Sequence, residues 1–250
     1  MDLNVRRMAA GLMVLGAGSI MAPACADNES SLFIRAVQVP DDMCVFPAPG
    51  NDDVGLLNGR LDVRLRSTYV AAMIVGNQLV RRGDEEQIRT ETSRIHLYAA
   101  DVTVLDSGQA AIQRADGSEA SFEVPVTGFV DPGSGSEPGY GTASALFIDS
   151  ATADQLRAQI GAQGVADIIV SVILRGRTLG GSELESGEFQ FPIQVCDGCL
   201  LIASVADDPA SPARDCDNAM DLDDDVLCAP GQDEAVDCCR IGVAACATLP

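Results

Sequence analysis

Lysine and tryptophan are absent from the 250 residues, histidine occurs once, and aromatic residues make up 4% of the chain. Without lysine, no ammonium can reach the phosphates of a Walker-type loop, so that nucleotide-binding mode is closed. The sixteen positive groups, all arginine, face 37 acidic ones, for a formal net charge of -21. A field of that sign repels phosphate backbones and anionic headgroups, which excludes nucleic acid and any membrane contact driven by charge. Long apolar runs are missing too. Met8 to Ala22 is uncharged for 15 residues and carries Gly11, Gly16 and Gly18, short of the roughly 20 apolar residues a spanning helix needs.

That short run has a different meaning. Arg6 and Arg7 precede it and small residues succeed it at Ala22-Pro23-Ala24-Cys25-Ala26, the order of a secretory leader, so residues 1–24 read as a cleaved signal peptide. The segment Ala22-Pro23-Ala24-Cys25 resembles the lipobox of bacterial exported lipoproteins, with small Ala24 just before the cysteine. It departs from that pattern at Ala22, where leucine is usual, and at Pro23. The resemblance covers the leader alone. It implies a diacylglyceryl thioether on Cys25 as the first mature residue; plain cleavage after Ala24 or Ala26 and release of the chain is the alternative. The mature protein is therefore expected on the bacterial envelope, the outer membrane first, or else in the periplasm or medium, and any membrane attachment comes from the lipid.

Nine cysteines are an odd number. Assigning Cys25 to lipid leaves Cys44, Cys196, Cys199, Cys216, Cys228, Cys238, Cys239 and Cys246, an even set that an oxidising compartment turns into four bridges. Eight cysteines allow 105 connectivities. Cys44 is the only mature cysteine before Cys196, which makes it a candidate partner for Cys196 or Cys199. Adjacent Cys238 and Cys239 are expected to take separate partners.

From Leu32 to Cys199 the apolar pattern has mostly period two. Phe189, Phe191, Ile193 and Val195 share one face opposite Glu188, Gln190 and Gln194; Ala120, Phe122, Val124 and Val126 oppose Ser121, Glu123 and Thr127. Leu61, Val63 and Leu65 repeat the pattern with Asp62, Arg64 and Arg66 outward. Denser β-branched runs over 69–75, 95–105, 143–148 and 168–174 predict central strands, and 32–39 adds another. About eight strands at this spacing predict an all-β fold, an Ig-like β-sandwich by analogy of pattern, spanning residues 25–202. One crossover helix interrupts it, capped at Ser150 or Thr152 and ended by Gly161 and Gly164. Residues 203–214, with Pro209 and Pro212, read as a linker. Residues 215–250 form a Cys-rich acidic tail with too few large hydrophobes for a core of its own, held by its cross-links.

Four features invite a chemical reading. Cys196-Asp197-Gly198-Cys199 has redox or zinc spacing, but Leu200-Leu201-Ile202 beyond it offers no helix start, so structural bridging is expected. Asp221, Asp223 and Asp225 alternate as calcium ligands do; Val226 and Gln232 stand where an EF-hand needs glycine and glutamate, so a solvated acidic loop is the default and calcium the only cofactor in view. The glycine-rich stretch 128–141 reads as a long connection in which Phe129 and Tyr140 are candidate binding-loop residues for glycan or peptide. His96 sits in a strand with its apolar neighbours on the opposite face, and no serine elbow accompanies it. No catalytic residue is assigned. The expected function is a non-catalytic binding or structural module of the envelope, with a protein or glycan partner. A hydrolase using paired carboxylates and a thiol-disulfide protein using Cys196 and Cys199 are the alternatives.

Overall fold

The structure is a computed structural model of the chain that describes residues 31–48, 55–83, 90–134, 136–202 and 227–241. In chain order the elements are β1 (Leu32–Gln38), β2 (Gly59–Asp62), β3 (Tyr69–Asn77), β4 (Ile95–Leu105), β5 (Ser121–Val130), β6 (Gly139–Ile148), α1 (Ser150–Ile160), β7 (Val165–Thr178), β8 (Glu183–Glu185), β9 (Phe189–Cys196), β10 (Leu201–Ile202), β11 (Val236–Asp237) and α2 (Cys238–Ile241). Strands β1, β3 and β6 make one antiparallel sheet in the order β1-β3-β6. A second sheet runs β2-β9-β7-β4-β5, with β8 also on β7. Its pairings are antiparallel except β2 with β9. The two sheets face each other over a single core, so the fold is the expected all-β sandwich.

The inner faces arise from period two. Tyr69, Met73 and Phe147 of the first sheet meet Leu97, Val170 and Phe191 of the second, all fully or almost fully buried. Tyr69, Phe147 and Phe191 form a triangle of rings with centroids 6.1 to 6.3 Å apart, tying β3, β6 and β9 together. Burying each side chain of this size stabilises the fold by about 1.5–3 kcal/mol. Gly59 is required where β2 passes this triangle, because a Cβ there would collide with the Tyr69 hydroxyl.

Helix α1 is the crossover from β6 to β7, and it buries Ala153 and Leu156. Its cap differs from the expected one. Asp149 is the N-cap, its Oδ1 accepting from Thr152 N at 2.9 Å, while Arg114 holds its Oδ2 at 2.7 Å. The ionised Asp149 carboxylate, held by the Arg114 cation, caps the first turn from one residue ahead of Ser150, and the Thr152 hydroxyl instead accepts from Arg114 Nε at 3.2 Å. Gly161, at φ 67°, ends the helix as expected.

Three other expectations change. Strand β2 stops at Asp62 instead of running to Leu65, and Asp62 is buried, not outward. The 128–141 connection is shorter than its glycines suggest: β5 runs to Val130, β6 starts at Gly139, and the chain changes sheets between them. Cys44 pairs with Cys228, across 184 residues, and Cys196 pairs with Cys199. Cys238 and Cys239 are disulfide-bonded as well.

The described part of the tail, 227–241, is hydrogen-bonded into the sandwich. Asp62 N donates to Gly231 O at 2.9 Å, Val236 N to Leu200 O at 2.7 Å, and β11 lies parallel to β10. Residues 227–241 thus cover the free edge of β2, which would otherwise expose unpaired N–H and C=O groups. Among the described residues no helix is long and apolar enough to cross a membrane.

Candidate functional site

A cleft of about 580 Å³ opens where the end of β1, the start of β3 and the tail converge, a size ordinary for a ligand site. Its outer wall is the 39–46 loop. Asp41 organises that loop, its Oδ1 accepting from Met43 N at 3.0 Å and Val45 N at 2.9 Å. Cys44 then takes a left-handed backbone, φ 61°, and its sulfur bridges to Cys228. The bridge staples the loop to the tail.

The opposite wall is 229–234. Asp233, also left-handed at φ 58°, donates its N–H to Arg60 O at 2.9 Å and accepts from Arg60 N at 2.6 Å through Oδ1. Its Oδ2 accepts from the Tyr69 hydroxyl at 2.6 Å. Gln232 uses its side-chain amide as a peptide group would, accepting from Val70 N at 3.0 Å and donating to Val70 O at 2.7 Å. Glu234 accepts from Ala229 N at 2.9 Å. The wall is thus fastened by residues whose own polar groups are matched.

Burial pushes the Asp233 carboxyl above its ordinary range, against the opposing pull of the Tyr69 and Arg60 hydrogen bonds. Burial, and then the neighbouring Asp233 charge, keep the Tyr69 hydroxyl protonated far above its usual range. Two buried atoms of residues lining the cleft, Gln38 Oε1 and Arg66 Nε, have no hydrogen bond among the described residues. Gln38 is only 5% exposed, and its Nε2 donates to Pro47 O at 3.5 Å.

A second cluster lies at the end of β9. Asp62 Oδ1 accepts from Arg64 N at 3.0 Å and Gly198 N at 2.8 Å, and Oδ2 from Leu200 N at 3.0 Å. One buried carboxylate therefore shapes the Cys196–Cys199 loop. Gly198, at φ 97°, lies under the Arg64 guanidinium, which pairs with Asp197. Asp62, Cys196 and Cys199 have the proximity of a metal site, as do Asp237, Cys238 and Cys239. All four of these sulfurs are in disulfides, so they offer no thiolate to a metal. Cys196 is buried and Cys199 exposed. The chain leaves Cys199 into strand β10, not into a helix.

The sequence-predicted binding residues are not brought together. Phe129 lies in β5, its ring stacked on His96 at 4.9 Å and the Arg94 guanidinium 5.2 Å from its centroid. Tyr140 lies in β6, in the other sheet, meeting Phe33 edge-on at 6.3 Å beneath Arg35. His96 is half-buried on the face opposite Ile95 and Leu97, as expected. Residues 1–24, Cys25, the 203–214 linker, Cys216, Cys246 and the calcium candidates Asp221, Asp223 and Asp225 lie outside the described residues. Gln38, Arg66, Tyr69 and Asp233 carry no signal in the sequence. They stand in separate segments, and no spacing rule links them.

No family model matches the chain, and no curated protein matches it. Among solved structures it is similar to a late embryogenesis abundant (LEA) protein determined in solution, at 12% identity and a TM-score of 0.27, over 64% of this chain and 70% of that one. A likeness of that size carries no argument about function.

Proposed function

We propose that the chain is an exported, non-catalytic module of the bacterial envelope, anchored through lipid on Cys25, that binds an envelope protein or glycan in the stapled cleft. The observation that carries this reading is the cleft of about 580 Å³, lined by Phe46, Val70, Asp41 and Glu234 between walls held by Cys44–Cys228. The bridges support an oxidising location. Binding is favoured over paired-carboxylate hydrolysis by the way Asp233 is held. Both of its oxygens accept hydrogen bonds from the fold, whereas a general acid must hand its proton to a substrate.

The test is photo-crosslinking in the envelope of the producing cell. A benzophenone side chain at Phe46, in the cleft wall, forms a discrete adduct with a protein or glycan, while one at Leu179, exposed beyond β7, does not. Intact-mass analysis of the same preparation reports acylated Cys25 as the first residue. No adduct at Phe46, or an unprocessed chain with free thiols, overturns the reading.

One observation favours a second reading, thiol-disulfide exchange: Cys199 is exposed beside buried Cys196, the asymmetry that lets an external thiolate reach one sulfur. Reduction of that bridge in the native protein by mild thiols, ahead of the others, supports it; equal resistance ends it.

A further inference from the structure

We propose that the Cys44–Cys228 bridge is a redox latch on the cleft, opened by a dithiol reductant and closed again on reoxidation. The proposal rests on the cleft's binding role and adds its regulation. The two walls are held in different ways. Residues 229–234 are tied to the sandwich by hydrogen bonds, Asp233 to Arg60 and Tyr69 and Gln232 to Val70, which a change of thiol state leaves intact. The 39–46 loop depends on the covalent bond. Asp41 to Ala48 are all exposed, and the bonds that shape the loop run inside it: Asp41 N donates to Val45 O and Cys44 N to Asp41 O, both at 2.9 Å, besides the two that Asp41 Oδ1 accepts. Cys44 holds φ 61°, a left-handed backbone that residues with a Cβ seldom adopt. Opening the bridge lets Cys44 relax, and the Asp41 turn around it loosens with it.

The chemistry is thiol-disulfide exchange. One thiolate of the reductant attacks the sulfur of exposed Cys44, the S–S bond breaks, and half-buried Cys228 leaves as a thiolate that takes up a proton. The reductant's second thiolate then displaces Cys44 from the mixed disulfide. The reductant ends as its own disulfide, and its two protons and two electrons end on the two cysteines. Cys196–Cys199 is built otherwise. Its inner sulfur, Cys196, is buried, where a thiolate is costly. Asp62 keeps the N–H groups of Gly198 and Leu200 in place, so the two sulfurs stay adjacent and rejoin. A freed Cys44 moves off from Cys228, and its effective concentration at that sulfur falls.

The experiment treats the oxidised, exported protein with graded dithiothreitol, alkylates it at intervals with iodoacetamide for peptide mapping, and follows amide exchange by NMR. Cys44 and Cys228 are alkylated about tenfold sooner than Cys196 and Cys199. With that bridge open, exchange at Met43 and Val45 rises about tenfold, while Val70, held by Gln232, keeps its protection. Oxidised glutathione restores the starting spectrum. The same reductant, applied to the producing cells, lowers the benzophenone adduct at Phe46 about fivefold, because the wall is no longer preorganised. Earlier or simultaneous opening of Cys196–Cys199 overturns the latch. So does an open Cys44–Cys228 with Met43 and Val45 still protected, or a loss of protection across β4 and β7. An adduct that persists with the bridge open also overturns it, yet leaves the binding role standing. Absence of an adduct in the oxidised protein sinks the binding role alone, and the order of reduction and the loop exchange then decide the latch.

Discussion

Tyr69 donates its hydroxyl to Asp233 Oδ2 at 2.6 Å across 164 residues of sequence. The ring belongs to the aromatic triangle at the centre of the sandwich; the carboxylate belongs to the tail. Through this bond the tail becomes a wall of the cleft rather than an appendage beside it. Removing the hydroxyl leaves a half-buried carboxylate one donor short. Tyr69→Phe is expected to lower stability by about 1–3 kcal/mol, read as a shift of the urea midpoint at unchanged slope. A variant as stable as the parent would show that the contact contributes nothing.

The pH dependence of stability at Asp233 has a defined sign. Burial raises its folded pKa above the ordinary 3.8, so the folded state binds that proton more tightly than the unfolded one. The stability of the parent relative to Asp233→Asn should therefore grow as pH falls from neutral through the raised value toward 3.8, then level off. Glu188, held below its ordinary range by hydrogen bonds from Gln190 and Ser171, runs the other way. Only the difference between the two proteins, from urea melts at each pH, isolates Asp233; a difference that is flat or shrinks on acidification contradicts the raised pKa.

Asp62 is the more costly carboxylate to remove. Alanine there removes the acceptor of three N–H groups at once, those of half-buried Arg64 and Gly198 and of buried Leu200, for a loss of about 3 kcal/mol or more. Asp62→Asn keeps one acceptor and should lose less. Because the same groups shape the Cys196–Cys199 loop, Asp62→Ala should also speed reduction of that bridge by dithiothreitol. Thermal unfolding and thiol release measure the two effects separately. Unchanged reduction with lowered stability would show that Asp62 does not guard the bridge.

The Cys44–Cys228 bridge closes a loop of 184 residues, and cross-links of that span stabilise by about 5 kcal/mol in the chain-entropy model. The double substitution Cys44→Ser with Cys228→Ser should retain the sandwich and release the wall. Amide exchange at Met43 and Val45, which are held by Asp41, should rise, while β4 and β7 amides in the core stay protected. Loss of protection throughout the sandwich would show instead that the staple holds the whole fold.

Much of the sandwich was legible because alternation is a local property. Phe189 to Val195 announces which side faces the core without reference to any other segment. The misreading of Asp62 has the same origin: continuing the alternation from Leu61 to Leu65 points it outward, but the strand ends there and the carboxylate turns in to the N–H groups of a loop 136 residues away. Phe129 and Tyr140 looked like one binding loop because they are close in sequence. The chain changes sheets between them, which gives each ring its own neighbours.

Alternation along the chain was enough to locate the long strands, their apolar faces and the crossover helix, since these depend on side chains two to four positions apart; the short β8, β10 and β11 and the true end of β2 carry no such period. The bridge from Cys44 to Cys228, the Tyr69–Asp233 bond and the pairing of Gln232 with Val70 came from the three-dimensional arrangement alone. Those relationships join distant segments whose meeting depends on how both sheets stack, and no local periodicity records that.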